Sequence, residues 1–152
     1  MTVRILLIGV VSLLGAASAF ADGFTFDGVR LNDLVGSQTL KKLPDRYTCV
    51  PADTRAVRRE CVNGDGRSLR SISLLNGRVV GFLFTIEPQN LSGAIANVTR
   101  QLGTPMKIKV ERADYQMWWR RAGRYDAILV SENPMDPGLG IFSIRTQTLD
   151  DY

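Results

Sequence analysis

The chain of 152 residues carries 19 Lys and Arg, 15 Asp and Glu and no His, for a formal net charge of +4. That length supports one domain with a buried core. The absence of histidine removes the commonest general base and metal ligand, and with it any Ser-His-Asp or Cys-His catalytic arrangement.

The opening residues read as a leader. Arg4 supplies a positive start, residues 5–14 form an apolar run, and Ala19-Phe20-Ala21 before Asp22 fits the A-x-A cleavage rule. Ala17-Ser18-Ala19 is a neighbouring alternative. The 17 residues 5–21 stand near the lower limit for crossing a bilayer, and their small-residue end favours cleavage over an uncleaved anchor. The expectation is a signal peptide over 1–21, removed after Ala21, and a mature single α+β domain over 22–152 in the periplasm or outside the cell. Loss of Arg4 lowers the charge to +3. No later segment is apolar enough to span a membrane.

Residues 24–31 alternate weakly and are predicted to begin a strand. From Asn32 a short helix is predicted, with Leu34, Val35, Leu40 and Leu43 on one apolar face, weakened by Gly36 and ended by Leu43-Pro44-Asp45. Residues 46–50 and 56–62 read as antiparallel strands around a turn at Pro51-Ala52-Asp53-Thr54. Residues 68–75 and 78–87 flank Asn76-Gly77, the strongest short-range hairpin signal, because both central turn residues need positive φ. The second of these runs is nearly all apolar and reads as a central strand covered on at least one face. Over 91–102 the spacing predicts a helix whose Leu91, Ile95, Val98 and Leu102 form a single stripe. Asn90 or Ser92 can cap its start; Gly103 and Pro105 close its end. Three or four strands follow, with candidates at 106–112, 115–121, 124–132 and 140–148. Ala122-Gly123 is a tight turn, residues 133–138 a loop, and the last three residues a frayed tail.

Together these elements predict an α+β fold, mainly an antiparallel sheet of hairpins with two helices packed on one face. A helix-then-meander pattern occurs over 32–87 and again over 91–148, an internal echo of chance or of old duplication.

Cys49 and Cys61 are the only cysteines. In an oxidising compartment they are expected to form a disulfide. Two thiolates do not complete a zinc site, and the eleven intervening residues do not match a C-x-x-C redox pair. Arg55, Arg58 and Arg59 fall on or near the stapled hairpin. They read either as the charge that keeps an edge strand from aggregating or as a rigid basic knob for an acidic partner. Between Arg55 and Arg78 six arginines stand against Glu60 and Asp65, a local excess of +4. Such surfaces attract acidic proteins, anionic lipids or glycans, and nucleic acid; the compartment makes nucleic acid an unexpected partner.

In Tyr115-Gln116-Met117-Trp118-Trp119-Arg120-Arg121 a strand sends Tyr115, Met117 and Trp119 to one face and Gln116, Trp118 and Arg120 to the other. One set packs under a helix. The other sets Trp118 beside Arg120, which reads as a half-covered core tryptophan or as an aromatic–arginine contact surface of the kind binding hot spots favour.

Phe26-Asp27-Gly28-Val29-Arg30-Leu31 before a helix and a cysteine-bearing strand resembles the opening of many small exported bacterial proteins. Leu102-Gly103-Thr104-Pro105, followed by Trp118 or Trp119 and by Ala127-Ile128-Leu129, resembles their second half. The wider group looks like the helix-plus-antiparallel-sheet modules of β-lactamase-inhibitor proteins and of small outer-membrane-assembly lipoproteins. The chain departs from it in Asn32, where glycine is usual, and in lacking a lipidated cysteine. What the resemblance implies is a non-enzymatic binding or inhibitory module.

No phosphate-binding glycine motif and no paired carboxylates of suggestive spacing occur, and no cofactor or metal is expected. The expected function is therefore that of a secreted or periplasmic binding module, an inhibitor or immunity-type protein of another exported protein. Its candidate contacts are Arg55, Arg58, Arg59, Trp118 and Arg120. The alternative is a structural envelope factor that binds anionic lipid or peptidoglycan, and behind it stands a carboxylate-dependent hydrolase.

Overall fold

The chain is dominated by antiparallel strands. The structure, a computed structural model, describes residues 23–43, 47–52, 58–64, 68–111, 114–122, 124–132 and 138–147. The predicted leader, Arg55, half of the 51–54 turn, residues 133–137 of the predicted loop and the C-terminal tail lie outside the described residues. In chain order the elements are β1 (Thr25–Phe26), β2 (Val29–Arg30), α1 (Ser37–Leu40), β3 (Thr48–Pro51), β4 (Arg58–Asn63), β5 (Arg70–Leu75) and β6 (Arg78–Ile86). A 3-10 turn at Pro88–Asn90 then leads into α2 (Leu91–Leu102), followed by β7 (Lys107–Glu111), β8 (Asp114–Arg121), β9 (Tyr125–Val130) and β10 (Gly140–Thr146).

β3 to β10 form one eight-stranded sheet in the order β3-β4-β5-β6-β10-β9-β8-β7, and every neighbouring pair is antiparallel. Each half of the chain supplies one helix and a four-strand meander. The two meanders meet where their last strands, β6 and β10, pair in the centre of the sheet. The central position expected for residues 78–87 is thus observed. Asn76 and Gly77 have φ of 51° and 75°, the left-handed pair that a tight hairpin turn demands. The sheet register slips once, between Ser73 and Leu74. That irregularity lets the consecutive Val79 and Val80 both be buried.

Helix is scarcer than predicted. α1 is a single turn rather than a helix from Asn32, because Leu34 forms a β-bridge with Arg78 and Asn32 adopts a left-handed φ of 73°. Asparagine tolerates that conformation better than most residues, so it serves where glycine would be the usual choice. Leu34, placed on the apolar face by periodicity, is 69% exposed. The strand predicted over 24–31 is two strands: Asp27 and Gly28, at φ 48° and 76°, fold it into a small hairpin. α2, in contrast, has the predicted bounds. Val98 on its stripe is fully buried, while Leu91, Ile95 and Leu102 pack partly buried against the core. Neither Asn90 nor any other side chain hydrogen-bonds the helix start; the Asn90 amide donates to Glu87 instead.

Leu40 of α1, Val98 of α2 and the β1–β2 hairpin join one buried cluster against the sheet. There Phe24 and Phe26 from the hairpin meet Phe82 and Phe84 of β6 and Phe142 of β10. Ring centroids lie 5.1 Å apart for Phe24–Phe142, 5.0 Å for Phe84–Phe142 and 4.5 Å for the stacked Phe26–Phe84 pair. Such pairs each contribute about 0.5–1.5 kcal/mol beyond the area they bury. The hairpin turn is tied down as well. Asp27 accepts from the Tyr47 hydroxyl at 2.6 Å and from Arg70 at 3.3 Å, and the Arg70 guanidinium lies over the Phe26 ring.

Cys49 and Cys61 are bridged, as expected, and stand directly opposite each other on β3 and β4. Cys61 is fully buried, so the bridge belongs to the helix-side core. Closing so short a loop constrains the unfolded chain by about 2–3 kcal/mol. Urea unfolding of the oxidised protein against Cys49→Ala/Cys61→Ala is expected to show a loss of that size. A difference under about 0.5 kcal/mol would mean that the pairing of β3 with β4 needs no staple.

Candidate binding surface

Cross-strand register assigns every side chain to a face, since directly opposed residues point the same way. Residues opposite the buried Phe142, Ile144 and Leu129 line the helix side. The alternate residues line a face that nothing among the described residues covers. Its middle row runs from Val62 through Ser71, Leu83, Ser143, Ile128 and Trp118 to Lys107. None of these side chains is buried. A second row runs from Val50 through Glu60, Ser73, Gly81, Arg145 and Asp126 to Arg120. Gly81 has no side chain to raise above the sheet, so the centre of that row is flat.

The two neighbouring tryptophans separate as predicted. Trp119 is 2% exposed, on the helix side, and its indole N–H donates to the Gly103 carbonyl at 2.8 Å, just past the end of α2. Trp118 is half-buried on the open face, with the Lys107 ammonium 5.0 Å from its ring centroid. Next to it Arg120 donates to Asp126, which also accepts from Gln147. That carboxylate holds the Arg120 guanidinium above the usual arginine range, through the hydrogen bond first and its charge second. Trp118, Arg120, Asp126, Ile128, Ser143 and Arg145 surround a shallow depression of about 490 Å³.

The arginines of the stapled hairpin divide. Arg58 is on the open face, 3.5 Å from Glu60, whose other oxygen accepts from the Ser71 and Ser73 hydroxyls at 3.1 and 2.8 Å. Arg59 pairs across from Leu74 and points to the helix side, exposed at its margin. Arg55 lies outside the described residues. Arg58 and Trp118 share a face but stand five strands apart, about 24 Å at ordinary strand spacing. A surface that uses both is therefore broad rather than a single pocket.

Sequence reasoning missed most of the middle row. Leu83, Ile128, Val62 and Ser143 carry no local mark of exposure, because in β6 and β9 apolar residues occupy both faces. Among the described residues there is no group of three or more His, Cys, Asp or Glu side chains able to hold a metal ion. No helix of the described residues is long and apolar enough to cross a membrane. A smaller cavity of about 200 Å³ lies near the end of α2, against Gly23, Leu31, Gln101, Arg121, Arg124 and Tyr125. Burial raises the Tyr125 hydroxyl pKa there, and the two arginines pull it back. No protein-family model matches the chain, and no curated protein or solved structure is significantly similar to it.

The paired tryptophans give an internal control. Trp119→Ala is expected to cost about 3–5 kcal/mol, the range for a buried aromatic. Trp118→Ala should cost about 1 kcal/mol or less, as for a surface site. Chemical denaturation of the two variants checks this, and equal losses would place both rings in the core.

At the far end of β9, Glu132 is raised above the usual glutamate range, first by a hydrogen bond with Asp114, then by that residue's charge. The raised folded-state pKa means the protonated form makes the contact. Its stabilising contribution is present below the ordinary glutamate pKa and fades as pH rises through the raised value. Glu132→Gln keeps a donor at neutral pH. It should therefore be at least as stable as wild type at pH 7, with the difference vanishing in acid, as read by urea midpoints against pH.

Proposed function

We propose that this protein is a secreted or periplasmic binding module that docks another exported protein on the open face of its eight-stranded sheet. The carrying observation is the composition of that face. A row that carries Leu83, Ile128 and Trp118 is flanked by Arg145 and by two arginines with carboxylate partners, Arg58 with Glu60 and Arg120 with Asp126. An interface of aromatic and arginine residues with mixed charge suits a protein partner, where paired charges fix register and reject wrong partners. A surface for anionic lipid or peptidoglycan would favour unpaired cations, so the pairing of Arg58 and Arg120 with carboxylates weighs against the envelope-factor reading. The Cys49–Cys61 bridge supports an oxidising compartment, in line with the leader read over residues 1–21. An inhibitor or immunity-type protein of another exported protein is the most specific form of this proposal.

The test is capture of a partner from envelope extract on immobilised wild-type protein, followed by affinity measurement with the purified partner. Trp118→Ala and Ile128→Glu are expected to weaken it at least about tenfold, the size of a central contact. Arg59→Glu, on the other side of the sheet, should leave it unchanged. Retention on phosphatidylglycerol vesicles that decays with salt, with no protein partner sensitive to Trp118, would reject this reading in favour of the envelope factor.

A further inference from the structure

The two edges of the sheet are not equivalent. β3 ends in Pro51, which has no N–H to offer, and it is bonded to β4 through the disulfide. β7, at the opposite edge, contains neither proline nor glycine, and all five of its residues are exposed. Among the described residues no strand pairs with its outer side.

The direction of its free backbone groups follows from the ladder. The Ser131 N–H donates to the Tyr115 carbonyl at 2.9 Å, while the Trp118 carbonyl accepts from Met106 at 2.8 Å. Odd-numbered residues of β8 thus address β9, and even-numbered ones address β7. Lys107 stands opposite Trp118 and Lys109 opposite Gln116. By antiparallel alternation the backbone groups of Lys107, Lys109 and Glu111 face β8. Those of Ile108 and Val110 point away from the sheet. The side chains of the same two residues emerge on the helix side, 55% and 68% exposed.

We propose that β7 is a dimerisation edge, at which two copies of this chain pair β7 with β7 antiparallel across a twofold axis through Val110. Charge selects that register. With Val110 facing its own counterpart, Lys109 stands opposite Glu111 of the second copy, and the same contact recurs on the other side of the axis. The backbone parity agrees. Val110 and its counterpart exchange both outward hydrogen bonds, and Lys109 with Glu111 becomes the narrow pair, where opposed side chains approach most closely. Centring on Lys109 instead would oppose two lysines. A shift by one residue would turn bonded groups toward free ones. The two exposed Val110 side chains then meet at the axis on one side, with Ile108 of each copy diagonal to Val110 of the other, as isologous contacts allow. Lysines on an edge strand ordinarily prevent pairing. Here Lys109 already lies 2.6 Å from Glu111 of its own chain and Lys107 lies over Trp118, so this pattern penalises the wrong register and leaves the right one open.

The proposal is independent of what binds the open face, and sedimentation equilibrium of the purified, disulfide-intact protein tests it. Wild type is expected to be a dimer that dissociates on dilution. Lys109→Glu and Glu111→Lys each turn both cross-strand contacts into like-charge pairs and should raise the dimer Kd by about tenfold or more. A 1:1 mixture of the two variants restores complementary pairs and should recover a dimer with one of each. Val110→Pro deletes an outward N–H without touching the β8 ladder, and should be monomeric with an unchanged circular dichroism spectrum. A wild type that is monomeric at every concentration overturns the proposal, as does a dimer indifferent to both charge reversals or a mixture that fails to recover. A monomer that instead binds an extended peptide of another protein along β7 overturns the second copy as the occupant.

Discussion

The contact on which the architecture depends is the phenylalanine cluster that seats the β1–β2 hairpin on β6 and β10. Phe24 and Phe26 come from one short stretch, Phe82 and Phe84 from the end of the first meander, Phe142 from the end of the second. Among the described residues, the two halves of the sheet are joined by the β6–β10 ladder and by these rings. Because α1 is only one turn, the hairpin supplies cover that a longer helix would otherwise give.

Closing one face this way defines the other by exclusion. Among the described residues, no further element covers the second side of the eight-stranded sheet. That side accordingly mixes half-buried apolar residues with charges satisfied in register. Glu60 gathers Arg58, Ser71 and Ser73; Asp126 gathers Arg120 and Gln147. Such a surface alternates charges of opposite sign around an apolar centre, the composition of an interface core with a polar rim. The cysteine bridge stiffens one end of it from beneath, and leaves Arg58 on a strand that cannot easily fray.

The edges carry the same asymmetry. Proline and a covalent cross-link blunt β3, whereas β7 is regular, exposed and apolar on its helix side. A single sheet with one blunted edge has one direction in which it can grow, and the alternation of Lys109 with Glu111 sets the terms on which it does so.

Much of this was legible in the residues. Asn76-Gly77 specified its hairpin because few dipeptides accept two positive φ angles. The 4-3-4 spacing of Leu91, Ile95, Val98 and Leu102 specified α2, and period-two alternation separated Trp118 from Trp119. Asp27-Gly28 carried the same kind of turn signal, hidden because its strands are two residues long. The helix predicted from Asn32 shrank to one turn because Leu34 found a bridge partner in Arg78, forty-four positions away. The pairing of β6 with β10, the exposure of Leu83 and Ile128 and the freedom of the β7 edge were decided by tertiary structure alone. Turn angles and periodicities are properties of neighbouring residues, whereas a face becomes open and an edge becomes free only through contacts between residues far apart in the chain.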